Sequence, residues 1–279
     1  MAIRWPNGAR CVVVVTIDWD GTGNEVGRGF DPVGIRAAGR YSARRGIPRI
    51  LDLLARHEIR ATFFVPGYDA ETSPDLLRHV SAAGHEIGAH GYMHEAFAVA
   101  PDEEEVLLRK SHDILTTITG QPPRGWRNPG GQKSDRTMAV MQDLGYCYDS
   151  SDKDHDRPYL LIADDNPARQ LISLPNNTSS LDDAPYYGGL AATPREMLDL
   201  WRGEFETLYL DTGYYMLVCH PRAGFGSGLP SRVRVLDHLL RYIKQFPDVQ
   251  FVQMTELAEW CLDPTHGFLG SNDVERGNA

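Results

Sequence analysis

The stretch Cys11-Val12-Val13-Val14-Val15-Thr16-Ile17-Asp18-Trp19-Asp20-Gly21 decides which α/β fold this chain adopts. Its β-branched run is the pattern of a strand buried on both faces. The residues just past the strand are diagnostic. A dinucleotide-binding sheet needs a glycine-rich phosphate turn at this place. Here stands Asp18-Trp19-Asp20-Gly21, and its two carboxylates repel phosphate. Two positions apart on an extended chain, both aspartates can point to the same side. They become the first candidates for chemistry.

Working outward, strand-like runs alternate with helical ones. Further strands are expected at 61–65, 84–90, 125–127, 146–149, 170–174, 214–219 and 249–252, with helices at 47–57, 73–84, 101–120, 134–145, 193–211, 231–245 and from 255. Punctuation supports the pattern. Pro48, Pro74 and Pro194 sit in first helical turns, Ser73 and Thr193 precede them as caps, and acidic residues open the helix at Pro101. Seven or eight strands alternating with helices imply a parallel sheet. With so many units and no visible linker, a single barrel domain is expected, closed or nearly so. Residues 1–270 would form it and 271–279 a disordered polar tail. Three stretches, Gly21–Arg45, Ser150–Pro167 and Pro175–Ala192, read as long loops beyond strand ends.

Composition narrows the class. Within 279 residues the net charge is −10, which argues against nucleic acid and an anionic membrane as partners. No basic segment followed by an apolar run opens the chain, and no stretch approaches transmembrane length. Cys11, Cys147, Cys219 and Cys261 lie far apart, mostly in apolar runs. Buried reduced thiols in a cytoplasmic protein are the expectation.

In a β/α barrel the active site gathers at the C-terminal ends of the strands. Asp18, Asp20, His90, Arg127, Asp149 and His220 stand there, with His94 just beyond. His90 and His94 flank a break at Gly91 and can converge on one cation, although a His-x-x-x-His pair alone can equally serve packing. Asp20, His90 and His94 make a two-nitrogen, one-oxygen set that leaves positions open for water, as hydrolytic zinc sites require. Asp18 remains free as a base, unless it serves as a loop or capping hydrogen-bond acceptor. Arg127 would relieve its repulsion from Asp20. His220 is the natural acid for a leaving nitrogen.

Five segments, in order, resemble the motifs of the polysaccharide deacetylase family, carbohydrate esterase family 4. They are Thr16-Ile-Asp-Trp-Asp20, His90-Gly-Tyr-Met-His94, Arg127-Asn-Pro-Gly130, Tyr148-Asp-Ser-Ser151 and Leu217-Val-Cys-His-Pro221. The resemblance spans about residues 11 to 262 and implies a distorted (β/α)7-type barrel. It implies a divalent metal, most often zinc, on Asp20, His90 and His94. It also implies a base Asp18 paired with Arg127, and an acid His220 tuned by Asp149. The sequence departs from the common pattern where Trp19 separates the first aspartates and Lys153 follows Asp152. These traits, with Gly46-Ile-Pro-Arg-Ile-Leu51 and Leu181-Asp-Asp-Ala-Pro-Tyr186, are similar to a sub-branch. It contains peptidoglycan-deacetylase-like proteins, cyclic imide hydrolases and metal-independent allantoinases.

The expectation is a metal-dependent amidohydrolase acting on a non-peptide C–N bond, in an N-acetyl amino sugar or a small cyclic amide. The alternatives are a cyclic imide or ureide ring-opening hydrolase and an inactive carbohydrate- or metal-binding barrel. Tyr92, Tyr186 and Tyr187 are expected to shape the substrate pocket. A small molecule or oligosaccharide is the expected partner, in a homo-oligomer whose neighbouring subunit helps wall the site.

Overall fold

In the computed structural model, which describes residues 5–95, 100–130, 133–134, 136–162, 170–176, 179–268 and 276–278, the valine run is the centre of the sheet. β1 (Cys11–Asp18) is buried along its whole length and therefore pairs on both edges. One edge runs parallel to β8 (Tyr214–Cys219), from Val12 opposite Tyr214 to Ile17 opposite Cys219. The other edge is shared. Its first half pairs with β9 (Val249–Phe251) and its second half, Thr16 to Asp18, with β2 (Thr62–Val65).

Beyond β2 the sheet continues in parallel through β3 (Glu86–Ala89), β4 (Gly125–Trp126), β5 (Tyr148–Asp149) and β7 (Leu171–Ser173). β6 (Tyr159–Ile162) then adds antiparallel to β7, and β10 (Arg276–Asn278) lies beside β6. A bridge from Asp182 to Val218 brings the segment after β7 back to β8. The result is a mixed, curled sheet in one domain, the distorted (β/α) barrel that the sequence implied.

Strand parity sets what faces where, because successive side chains alternate. Val13, Val15, Ile17 and Trp19 pack with the surrounding helices, against residues such as Leu54, Trp201 and Phe205. Val12 and Val14 belong to a second cluster with Phe64, Tyr148, Ile172 and Met216 from neighbouring strands, on the inner side of the curl. Thr16, Asp18 and Asp20 continue that even-numbered series. Trp19 is a wall residue, and its burial among the helices turns both flanking carboxylates inward.

Several local expectations change. Gly21–Arg45 contains short helices, Gly23–Gly27 and Ala38–Tyr41, and passes through a wide turn at Ser42–Gly46 into the helix Ile47–Arg56. Each piece is about one turn long, too short for hydrophobic periodicity to register. Ser150–Pro167 holds β6, a Tyr-Leu-Leu-Ile run inside an acidic segment, while 163–169 lie outside the described residues. Within the tail expected to be disordered, 276–278 form β10, while 271–275 and 279 lie outside the described residues. Thr193 closes a capping box with Glu196, as expected. The last helix, Met254–Leu262, starts one residue before the expected 255, with Gln253 at the cap position, and the Thr255 hydroxyl donates to Glu86.

The four cysteines are buried and free, and burial pushes the Cys11 and Cys147 thiols up to about 12. Among the described residues no helix is long and apolar enough to cross a membrane. The helix-side core centres on Phe205, fully buried with ring centroids 5.5 Å from Tyr215 and 4.9 Å from Phe246. Phe205→Ala should lower the unfolding free energy by about 3–5 kcal/mol in urea titrations, as cavity-forming aromatic truncations do. It should leave the site chemistry unchanged, since the ring lies on the far side of β8 from the carboxylates.

Candidate active site

The C-terminal ends of β1, β3, β4, β5, β7 and β8 surround a cavity of about 210 Å³. Asp18, Asp20, His90, His94, Arg127 and His220 all line it. A larger groove of about 530 Å³ opens at the opposite end of the strands, beside Arg60, His85, Glu86 and Arg124. It lacks the convergent carboxylate–imidazole set, so the smaller cavity is the chemical one.

Asp20 is the meeting point of the two histidines. Its Oδ1 lies 3.1 Å from His94 Nε2 and 3.7 Å from His90 Nε2. His90 Nδ1–H donates to the Arg127 carbonyl at 2.7 Å, which orients the ring with Nε2 toward Asp20. His94 arrives from the other side because the chain turns back at Gly91 and at His94 itself, both with positive φ. Glu95 holds that turn by accepting the amides of Tyr92 and Met93. The three donor atoms lie within 4.8 Å of one another, and Asp20 Oδ1 is a buried acceptor with no hydrogen bond. A tetrahedral ion with bonds of about 2.0–2.1 Å spaces its ligands by about 3.3 Å. The trio fits a divalent cation.

Asp18 faces a different partner. Arg127 Nη1 donates to Asp18 Oδ1 at 2.6 Å and to Thr16 Oγ1 at 2.9 Å. Burial alone would raise the Asp18 carboxyl, but Arg127, with His90 and His220 beside it, holds it below the usual range. Asp20 is likewise opposed by burial and carried well down by His94 and His90. The chain after Asp20 is fixed by Asp69, which accepts the amides of Gly21 and Gly23; a Cβ at Gly21 would collide with that carboxylate.

His220 Nε2 stands 4.0 Å from Asp18 Oδ2 and 3.9 Å from Asp20 Oδ2. Its Nδ1–H donates to Asp183 Oδ1 at 2.5 Å. Burial would lower this imidazole, yet Asp183, Asp20 and Asp182 raise it well above the ordinary histidine range. Asp183 is itself immobilised, because its Oδ2 accepts the backbone amides of His220 and Ser227.

Some expected residues stand elsewhere. Asp149 does not tune His220. Its carboxylate accepts from Lys133 at 2.8 Å and from Ser151, so its charge is spent on the strand end. The tuning carboxylate is Asp183, which sequence reasoning missed. The available signal was Leu181-Asp182-Asp183-Ala184-Pro185, two adjacent acids before a proline near a strand edge. The tyrosines do not line the cavity. Tyr92 turns outward to donate to Glu71 and stacks under the Lys110 ammonium at 3.4 Å. Tyr187 is buried in the helix-side core with the Arg232 guanidinium over its ring, and Tyr186 packs against the same core. Of the three long segments, two supply lining residues: Ser151 and Lys153 from one, Asn176, Asp182 and Ala184 from the other. The Gly21–Arg45 segment braces from behind, through the Glu25–Arg222 ion pair and the Arg222 bond to the Gly21 carbonyl.

This arrangement belongs to a known class. The family model for polysaccharide deacetylases matches residues 36–148. A Mycobacterium smegmatis protein described as a polysaccharide deacetylase superposes with a TM-score of 0.83 at 31% identity, with 92% of each chain covered. The peptidoglycan deacetylase of Helicobacter pylori is 26% identical over 79% of this chain and 85% of its own length. The fold is also that of the Puue allantoinase, with a TM-score of 0.81 at 22% identity over 93% of each chain. The chain belongs to the polysaccharide deacetylase family. It is thereby a hydrolase of carbon–nitrogen bonds other than peptide bonds.

The charge balance gives a test in metal-free protein. A raised folded-state value means that the His220 ion cluster adds stability fully below the unfolded histidine pKa of about 6.5. That contribution is lost as pH rises through the folded value. Titrating the His220 ring protons by NMR should show imidazolium persisting through neutral pH, and Asp183→Asn should bring the midpoint down toward about 6.5. An unchanged midpoint in the variant would remove Asp183 from its role.

Proposed function

We propose that this protein is a metal-dependent amidohydrolase that cleaves the N-acetyl group of an amino sugar or opens a small cyclic amide. The observation that carries the reading is the convergence of three distinct groups in one cavity. They are a cation-ligand trio, a carboxylate ionised by a buried arginine, and an imidazolium held by a second carboxylate. Asp20, His90 and His94 are the residues that would hold the metal, with zinc the natural occupant of two nitrogens and one oxygen. When bound, such a cation supplies Lewis acidity, polarising a carbonyl and lowering the pKa of water toward about 7 in the case of zinc.

The chain's own residues then move the protons. Asp18, ionised by Arg127, takes the proton of the attacking water. His220, kept protonated by Asp183, delivers a proton to the departing nitrogen. An N-acetyl sugar yields a free amine and acetate; a cyclic imide yields a half-amide. The degenerate, non-catalytic alternative is disfavoured because base, acid and ligand groups are all present at contact distances suited to those roles.

The cavity favours the smaller substrates. Sites for drug-sized ligands usually measure about 300–1,000 Å³, and this one is about 210 Å³, walled by the segments after β5 and β7. The second reading, ring opening of a cyclic imide or ureide, draws its support from that size.

Two experiments test these statements. Asp20→Ala, His90→Ala and His94→Ala should each reduce zinc bound per chain, by metal analysis, with circular dichroism unchanged. Asp18→Asn and His220→Ala should keep the zinc yet lose turnover by on the order of 10²-fold or more. Near wild-type kcat in either would remove its assigned role. For substrate, kcat/KM should favour an imide or a monomeric N-acetyl sugar over a chitin hexamer on one preparation. A clear preference for the hexamer would overturn the small-pocket reading.

A further inference from the structure

We propose that Asn176 reads the N–H of the scissile amide, a positioning role that rests on the amidohydrolase reading above. Three observations converge on this side chain. It lines the same cavity as Asp18, Asp20, His94 and His220. It is 5% exposed, and its Oδ1 is a buried acceptor with no hydrogen-bond partner. Its backbone is pinned: the Asn176 amide donates to the Asp152 carbonyl at 3.2 Å, and the preceding Pro175 carbonyl accepts from the Tyr214 hydroxyl at 2.8 Å.

A buried carbonyl left unpaired is costly, and folded proteins rarely leave one without a reason. Asp20 Oδ1, also unpartnered in this cavity, is explained by the cation-ligand trio. Asn176 lies outside that trio and carries no titratable proton, so neither the trio nor the proton transfers account for it. A donor carried in by the substrate does. An N-acetyl amine and a cyclic imide share one feature, an N–H directly beside the carbonyl to be cleaved. An ester, or the N-methyl derivative of either compound, lacks it.

The pairing also has a chemical use. Asp18 and His220 handle the water proton and the leaving-group proton, but neither fixes the rotation of the substrate nitrogen. If Asn176 Oδ1 accepts the existing N–H, that bond is held toward the segment after β7. As the carbonyl carbon becomes tetrahedral, the nitrogen lone pair is then left free to turn toward His220. Asn176 neither gains nor loses a proton; it sets direction.

The test pairs ligand and residue changes. Affinities of succinimide and N-methylsuccinimide, and of N-acetylglucosamine and its N-methylated amide, are measured by calorimetry on zinc-loaded Asp18→Asn protein, where turnover is suppressed. The same is done with Asn176→Leu and Asn176→Asp added. With Asn176 present, at least one N–H ligand should bind about tenfold tighter than its N-methyl partner, since methylation leaves the buried acceptor unpaired. In Asn176→Leu that ratio should fall to near one, while Asn176→Asp, which keeps an acceptor oxygen, should retain it. A ratio unchanged in Asn176→Leu overturns the role of Asn176 while leaving the amidohydrolase reading intact. Failure of wild-type zinc-loaded protein to bind or turn over either ligand pair overturns both.

Discussion

The buried guanidinium of Arg127 is the constraint on which the site depends. It is 2% exposed and donates to Thr16 and Asp18 on β1 and to both the carbonyl and the hydroxyl of Ser150 beyond β5. Its flat face lies 4.3 Å from the Phe64 ring of β2. Its own backbone accepts from His90 and donates to Ala89. One side chain thus ties together four strand ends that are far apart in sequence. A charge in so dry a place is tolerable only when its donors are matched and a counter-charge is adjacent. Asp18 supplies the charge, and the proposed base is the group whose ionisation the fold itself requires.

That coupling explains why two aspartates two residues apart behave differently. Both face the inner side of the curl, and both are opposed by burial. Asp18 is answered by a permanent cation and Asp20 by two imidazoles that a metal can claim. The repulsion between them is met from opposite sides by Arg127 and by the histidines, and His220 stands about 4 Å from each. Environment separates the roles of chemically identical groups.

Much of this was legible in the residues alone. β1 announced itself by its valines, and the polar groups at strand ends stood out against apolar interiors. Asp18, Asp20, His90, His94, Arg127 and His220 come together in one cavity for that reason. What failed was direction. Tyr92 comes two residues after His90, but Gly91 takes a positive φ, so strand alternation no longer tells where the ring points. Asp149 sits at a strand end as the pattern demands, yet Lys133, outside any helix or strand, captures it. Asp183 lies in an irregular segment that periodicity cannot place, and only its bond to His220 gives it meaning. The short helices of Gly21–Arg45 escaped because single turns leave no repeating pattern.

The three-partner pairing of β1 carries a mechanical consequence. Asp18 ends that strand and Asp20 comes two residues later, while the strand is held by β8 along one edge and by β9 and β2 along the other. Asp18 and Asp20 are therefore held at a separation set by the chain itself. His220 follows β8, and His90 and His94 follow β3. A shift between strands therefore changes how His220, His90 and His94 approach the two carboxylates more than it changes the spacing of the carboxylates themselves. Under the proposed roles, relative movement of β1 and β8 alters how the acid meets the base, while the spacing of the base and the cation ligand stays set by the chain.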